Sequence, residues 1–316
     1  MKHGRLRRLA GTKEAATLDD NPLTDAAIED ALRGGLTLVL NSASGSVTPA
    51  SADEAQAIFA AAGFDRAQVI VASPADIDAA LDAAVGTAKV LAVLGGDGAI
   101  RSAAERCGPM APFLLPLPGG TMNMLPKALY GDRSWHEALA DTLAQPRTFQ
   151  VSGGKASGRT FFVAALFGAP TRWADAREAL RAGRIGAALA GAFTAARRSF
   201  SEPLDYQFGS VMAGSAEAVA VVCPMISKAL DNDEPMLEAA AVDASSAAEA
   251  LRLGFHALFD DWRADPAVRR AKVRTAVVEG HGAVPAILDG EKARLGRRVQ
   301  LEFTPRAFTA IGPRTD

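Results

Sequence analysis

Three glycines and one carboxylate directly follow a short apolar run in the first half of the chain. Residues 89–94 lead into Gly95-Gly-Asp-Gly98, here termed the first glycine turn. The run predicts a strand buried on both faces, and closely spaced glycines permit positive φ and let an anion approach the backbone amides. Helix formers over 99–107 predict a helix whose N-terminal amides point at the same place. This turn suits a phosphate group, although a plain strand-to-helix connection explains the glycines equally well.

Two further loops follow apolar runs in the same way. Asn41–Ser46 is a loop of small residues, and Leu117–Asn123 contains a second glycine turn. The runs alternate with helical patterns, at 36–40, 68–72, 89–94 and 113–117, which predicts a parallel, Rossmann-like sheet with crossover helices. Ligands of such sheets bind beyond the carboxyl ends of the strands, so all three loops should lie at one binding edge.

A length of 316 residues favours two domains. Residues 1–35 are interpreted as an N-terminal extension with one helix, and 36–146 as the α/β domain that contains the glycine turns. After Pro146 short strand-like runs dominate, among them 204–213 and 272–278, so 147–316 should form a β-rich, sandwich-like or barrel-like domain. In this interpretation its last segment can pack back on the first domain.

Composition excludes several classes of protein. A net charge of −2 gives no reason to expect a nucleic-acid partner. Two cysteines suggest a reducing compartment, and four scattered histidines argue against a zinc site. No apolar run approaches the length that spans a bilayer. We therefore expect a soluble, cytoplasmic protein that is at most peripherally attached to the inner membrane.

With a fourth motif, Asp289-Gly-Glu291, the chain resembles the diacylglycerol kinase catalytic-domain family, which includes bacterial soluble lipid kinases and the sphingosine and ceramide kinases. The family pattern runs Asn-Pro-x-Ser-Gly, Gly-Gly-Asp-Gly-Thr, Pro-Leu-Gly-Thr-x-Asn and Asp-Gly-Glu. The matching segments are Asn41-Ser-Ala-Ser-Gly45, Gly95-Gly-Asp-Gly-Ala99, Leu117-Pro-Gly-Gly-Thr-Met-Asn123 and Asp289-Gly-Glu291. Four motifs in this order make the resemblance specific.

The resemblance implies a two-domain fold of the NAD kinase and diacylglycerol kinase type, with the active site in the cleft and ATP and Mg²⁺ as cofactors. Residues 36–146 would be the ATP-binding domain and 147–316 the lipid-substrate domain. It implies Glu291 as general base on the acceptor hydroxyl, supported by Asp289. Asp97 would orient the base, a Mg²⁺-bound water or the nucleotide. The ATP-binding residues implied are Asn41, Gly95, Gly96, Asp97, Gly98, Ala99, Arg101, Thr121 and Asn123.

The chain departs from the family pattern at several positions. Ala99 stands where the family has Thr, no Pro follows Asn41, the second turn has an extra glycine, and Met124 stands where the family often has Asp. The acidic stretch 230–234 matches a structural metal site of related bacterial enzymes, in which Asp233 would be the ligand. An acidic surface turn explains that stretch equally well.

A helical stretch, 174–198, combines basic and apolar residues. Arg177, Arg181 and Arg184 share one helical face, and the apolar segment 185–196 follows them. The pattern suits either an interfacial helix on an anionic membrane or a buried helical pair with solvated ends.

Three functions are compatible with these motifs. The leading hypothesis is an ATP-dependent lipid kinase that phosphorylates a hydroxyl of diacylglycerol, ceramide or a sphingoid base at a membrane surface. The second is phosphorylation of a soluble cofactor, as in the NAD kinases, which share the Gly-Gly-Asp-Gly turn. The third is a family member that binds lipid or nucleotide without turnover, which Ala99 favours and the intact Glu291 opposes.

Overall fold

The computed structural model describes residues 25–110, 112–168, 203–227, 229–230, 234–242 and 267–314. Helices and strands alternate through the first half. These elements are α1 (Asp25–Gly34), β1 (Leu36–Asn41), α2 (Ser51–Ala61), β2 (Gln68–Ala72), α3 (Ile77–Val85), β3 (Val90–Gly95), α4 (Asp97–Arg106), β4 (Phe113–Pro118), α5 (Met124–Tyr130) and α6 (Trp135–Ala144).

Strands β1 to β4 are parallel and lie in the order β2-β1-β3-β4. All six residues of β3 are buried because the strand lies between β1 and β4 and helices cover the sheet. A strand in this position has no solvent-facing side, which explains its continuous apolar sequence.

The second half consists mainly of strands. In chain order they are β5 (Pro146–Ala156), β6 (Arg159–Phe161), β7 (Ala164–Gly168), β8 (Leu204–Phe208), β9 (Met212–Ala216), β10 (Ala218–Val222), β11 (Leu237–Val242), β12 (Val268–Val273), β13 (Thr275–Glu279), β14 (Pro285–Leu288), β15 (Glu291–Arg294) and β16 (Arg298–Pro313). An antiparallel sheet has the order β12-β11-β10-β7-β14-β15. The predicted fold class, a parallel α/β half followed by an antiparallel β-rich half, is confirmed.

Two predicted strand-like runs are each divided in the structure. The run 204–213 turns at Gly209, whose φ is +53°, a conformation that glycine adopts without steric cost. The run 272–278 is divided at Arg274, where the chain passes from the six-stranded sheet to the larger one. Periodicity detects the β character of such runs but not where a strand changes sheet.

The long strand β16 connects the two halves. Its first part pairs with β13 and β5, and the register shifts between Thr304 and Phe308. Its last part still pairs with β5 and also lies parallel to β4, with Ala310 opposite Leu114. One sheet therefore extends from β2 through β4 and β16 to β9. The division at residue 146 stays a prediction.

Phe308 packs where β16 passes from one half to the other. It is fully buried and meets the Phe162 ring edge-on at 5.0 Å between centroids. Both rings belong to the core of the α/β half, although Phe162 lies between β6 and β7 and Phe308 lies opposite Val151 of β5.

We expect Phe308→Ala to lower the free energy of unfolding by about 3–5 kcal/mol, because a buried ring is replaced by a cavity. Urea denaturation measures this loss. Val211→Ala is the control, since Val211 is 69% exposed and its truncation should cost less than about 0.5 kcal/mol. Similar losses in the two variants would show that Phe308 does not stabilise the join.

Candidate active site

Three loops meet at the carboxyl edge of the parallel strands and are bonded together through their backbones. The Ser46 amide donates to the Gly119 carbonyl at 2.9 Å, and the Gly119 amide donates to the Gly95 carbonyl at 2.9 Å. Asn41 ends β1 in the first of these loops, and its Oδ1 accepts a hydrogen bond from the Ala43 amide at 3.2 Å. The predicted convergence of the loops at one edge is therefore present.

The two glycine turns touch backbone to backbone. A Cβ on Gly119 would lie 2.8 Å from the Gly95 nitrogen, and one on Gly120 would lie 2.6 Å from the Gly96 Cα. Any side chain at 119 or 120 would force the turns apart. The glycines of the first turn do not use the positive φ that they permit, because none of them lies in the left-handed region. Gly95 and Gly98 instead allow the close approach of Ala99 and Glu291.

Helix α4 begins within the first glycine turn. Gly96 is its N-cap, in extended conformation, and Asp97 is its first residue, two positions earlier than predicted. Gly98, Ala99 and Arg101 are therefore helical residues. The first amides of a helix have no partner within it and carry the positive end of the helix dipole. This end of α4 is thus suited to an anion.

Asp97 connects the two glycine turns. Its Oδ1 accepts the Met124 amide at 2.6 Å, and its Oδ2 accepts the Asn123 amide at 3.1 Å, so it caps the start of α5. Burial raises the pKa of Asp97, and the backbone hydrogen bonds oppose that rise. With both oxygens bonded to amides, Asp97 acts through the loops it holds.

Asn123 closes the second glycine turn on itself. It has a φ of +52°, which asparagine tolerates better than most residues, and its side chain is buried. Its Oδ1 accepts from the Gly120 amide at 2.8 Å, and its Nδ2 donates to the Gly120 carbonyl at 2.9 Å. Thr121 is exposed at the tip of this closed turn. Asn123 therefore shapes the loop that presents Thr121.

Asp289 is buried in the turn between β14 and β15. Its carboxylate accepts the amides of Phe162, Val163 and Ala164 at 2.7 to 3.0 Å, and its own amide donates to the Ala164 carbonyl. Burial raises its pKa to about 6, against the lowering effect of these donors. Asp289 fixes the β14–β15 turn against the start of β7, and Glu291 lies two residues further on.

Glu291 reaches across to the first turn of α4. Its Oε2 forms an ion pair with the Arg101 guanidinium. A Cβ on Gly98 would overlap its Oε1 and lie 2.9 Å from its carboxylate carbon. The motifs assigned Arg101 to the nucleotide and Glu291 to the acceptor hydroxyl, and they did not predict that the two side chains are in contact. Residues separated by 190 positions in sequence gave no local pattern that could have revealed it.

Some predicted site residues lie outside the described part of the chain: Asp233, Arg177, Arg181 and Arg184. Among the residues that are described, no three His, Cys, Asp or Glu side chains are grouped to hold a metal ion. In the same part of the chain, no helix is long and apolar enough to cross a membrane.

Fold and site together define a two-part α/β protein in which a helix N-terminus suited to an anion lies beside the Glu291 carboxylate. Residues 35–156 match the diacylglycerol kinase catalytic domain family, so the resemblance predicted from the motifs is confirmed. No curated protein matches the sequence.

Solved structures share the fold over most of its length. A diacylglycerol kinase from Bacillus anthracis str. Sterne is 21% identical, with a TM-score of 0.68, 87% of this chain covered and 96% of that chain. Another structure from the same organism, provisionally named a diacylglycerol kinase, is 20% identical over the same shares, also with a TM-score of 0.68. At this identity the likeness establishes the fold alone.

The raised pKa of Asp289 predicts a pH dependence of stability. Between its ordinary value of 3.8 and about 6, the folded protein holds a proton that the unfolded chain has released. The contribution of Asp289 to the free energy of unfolding therefore falls as pH rises through this window, by up to about 1.4 kcal/mol per pH unit.

Asp289→Asn should remove this slope, measured by urea denaturation from about pH 4 to about pH 7. The exposed Asp65, replaced by Asn, is the matched control and should leave the slope unchanged. Parallel stability curves for the native protein and Asp289→Asn would contradict the shift.

Proposed function

We propose that the chain is an ATP-dependent lipid kinase that phosphorylates a hydroxyl of diacylglycerol, ceramide or a sphingoid base. The observation that carries the proposal is the position of the Glu291 carboxylate beside the first turn of α4, where a nucleotide phosphate would be held. Donor and acceptor groups of a phosphoryl transfer must meet at one such point. The family match over residues 35–156 supports the kinase class.

The donor side suits a nucleotide triphosphate. Phosphoryl transfer requires positioning and charge stabilisation more than covalent chemistry. Gly96 and Gly98 leave the backbone open to a phosphate, the α4 terminus attracts it, and Asn41 and Thr121 stand on the flanking loops. Mg²⁺ binds few protein oxygens and keeps phosphate and water ligands, so it fits a site with so few free carboxylates. When bound, the ion neutralises charge on the transferred phosphate.

Glu291 is the carboxylate suited to act as general base. An alcohol has a high pKa, so a carboxylate within hydrogen-bond reach must accept its proton as the new P–O bond forms. Asp97 and Asp289 already accept backbone amides with both oxygens, whereas Glu291 is about half exposed at the cleft. Asp97 and Asp289 are therefore assigned positioning roles.

The lipid would be met at a membrane surface, for which Arg177, Arg181 and Arg184 are the proposed contacts and Asp233 the proposed structural metal ligand. A second function, binding without turnover, is favoured by one observation. Ala99 lacks the hydroxyl that the family places in the first turn of α4. An assay of turnover separates the two.

Purified protein with labelled ATP and Mg²⁺ should transfer phosphate to one of diacylglycerol, ceramide or sphingosine, and not to NAD. Glu291→Gln should lower the rate by about 10²–10⁴ because it removes the base, and it should retain nucleotide binding. Transfer to NAD alone would replace the lipid by a soluble acceptor. Absence of phosphate transfer to every one of these acceptors would contradict the kinase proposal.

Gly98→Ala tests the space at the first turn of α4 and leaves Glu291 itself unaltered. The added methyl group would occupy the space beside Gly98 in which a nucleotide phosphate would be held, so transfer should fall at least about tenfold. The free energy of unfolding should change little, because alanine favours the helix by about 0.5–1 kcal/mol over glycine and this gain offsets the displacement of the Glu291 side chain. Gly108→Ala is the matched control, since a Cβ there meets nothing within 4 Å. Full activity in Gly98→Ala would show that no phosphate is held beside Gly98.

A further inference from the structure

The Glu291 carboxylate stands where an anion would be expected at the start of α4. It contacts the helix beside Gly98 and pairs with Arg101 one turn further on. A helix N-terminus and a guanidinium together favour a negative charge. The position proposed for a nucleotide phosphate is therefore already taken by an anion belonging to the chain.

Arg101 is built to hold an anion at this point. Its side chain is 19% exposed, and its second terminal nitrogen lies 3.5 Å from Glu105 on the next turn of α4. Its Nε is buried and has no hydrogen-bond partner within the described part of the chain. One donor of the guanidinium is thus left without a hydrogen bond while the group is paired with Glu291. The planar guanidinium suits phosphate oxygens as well as a carboxylate.

We propose that Arg101 exchanges one partner, the Glu291 carboxylate, for another, a nucleotide phosphate. This exchange couples nucleotide binding to release of the base. Without nucleotide, Arg101 holds the Glu291 carboxylate against α4. When a nucleotide phosphate binds at the same turn, Arg101 turns to the phosphate and Glu291 is released towards the acceptor hydroxyl. The inference rests on the proposed function and adds to it an internal competition between a carboxylate and a phosphate.

The direction of the exchange follows from charge. A terminal phosphate carries more negative charge than a carboxylate, and two anions at one helix terminus repel each other. Binding therefore requires Glu291 to leave, which weakens the apparent affinity for phosphorylated ligands and leaves that for adenosine unaffected. The competition also keeps the base engaged while no phosphate is present.

Titration calorimetry with ADP, a non-hydrolysable ATP analogue and adenosine tests the exchange. Glu291→Gln should bind both phosphorylated ligands about fivefold more tightly and adenosine unchanged, because the competing charge is gone. Arg101→Gln should bind them about tenfold more weakly. In the double variant Glu291→Gln should raise the affinity for phosphorylated ligands by less than about twofold, since the guanidinium for which carboxylate and phosphate compete is absent.

Glu105→Gln is the matched control. It removes a carboxylate that contacts the same guanidinium, at 3.5 Å and away from Gly98, so affinity should stay within about twofold. Arg101→Lys keeps the charge without the fork and should retain part of the native affinity, which guards against misfolding of Arg101→Gln.

The outcomes separate the two proposals. Unchanged affinity for phosphorylated ligands in Glu291→Gln, or an equal gain with and without Arg101, would overturn the exchange and leave the kinase proposal standing. Absence of nucleotide binding to the native protein would overturn both.

Discussion

Backbone contact between the two glycine turns is the constraint on which the site depends. Gly119 and Gly120 lie so close to Gly95 and Gly96 that no side chain fits between them. This contact brings the ends of β3 and β4 together and lets the Asp97 carboxylate reach the start of α5. Gly119 and Gly120 are thus required by the approach of the second turn to the first, and the extra glycine in the second turn belongs to that contact.

Two carboxylates, the partly buried Asp97 and the buried Asp289, have comparable roles in different halves of the chain. Asp97 accepts amides at the start of α5, and Asp289 accepts three amides at the start of β7. In both cases burial opposes ionisation while backbone donors favour it. Each carboxylate fixes a loop that presents another group, Thr121 in one case and Glu291 in the other. Rigid loops of this kind give a site its precision.

The sequence allowed the parallel sheet, the β-rich half and the edge at which the loops meet to be predicted, because burial on both faces leaves a continuous apolar run and glycines mark turns. It could not reveal that Gly98 makes room for Glu291, or that Arg101 pairs with it. Those contacts arise between α4 and β15, and they depend on how the halves are joined. Nor could it show which property of the first-turn glycines is used, since a glycine needed for close approach looks identical in sequence to one needed for a left-handed turn.

Strand β16 has a consequence for how the chain folds during synthesis. The edge of β4 that β16 covers belongs to residues 113–118, whereas its partner is residues 298–313. The α/β half emerges from the ribosome first, yet nearly 200 residues must follow before that edge is paired. Throughout that interval an apolar strand edge is open to pairing with another chain. Strand β16 therefore covers this edge late in synthesis, and until it is made the nascent chain is prone to association through the open edge of β4.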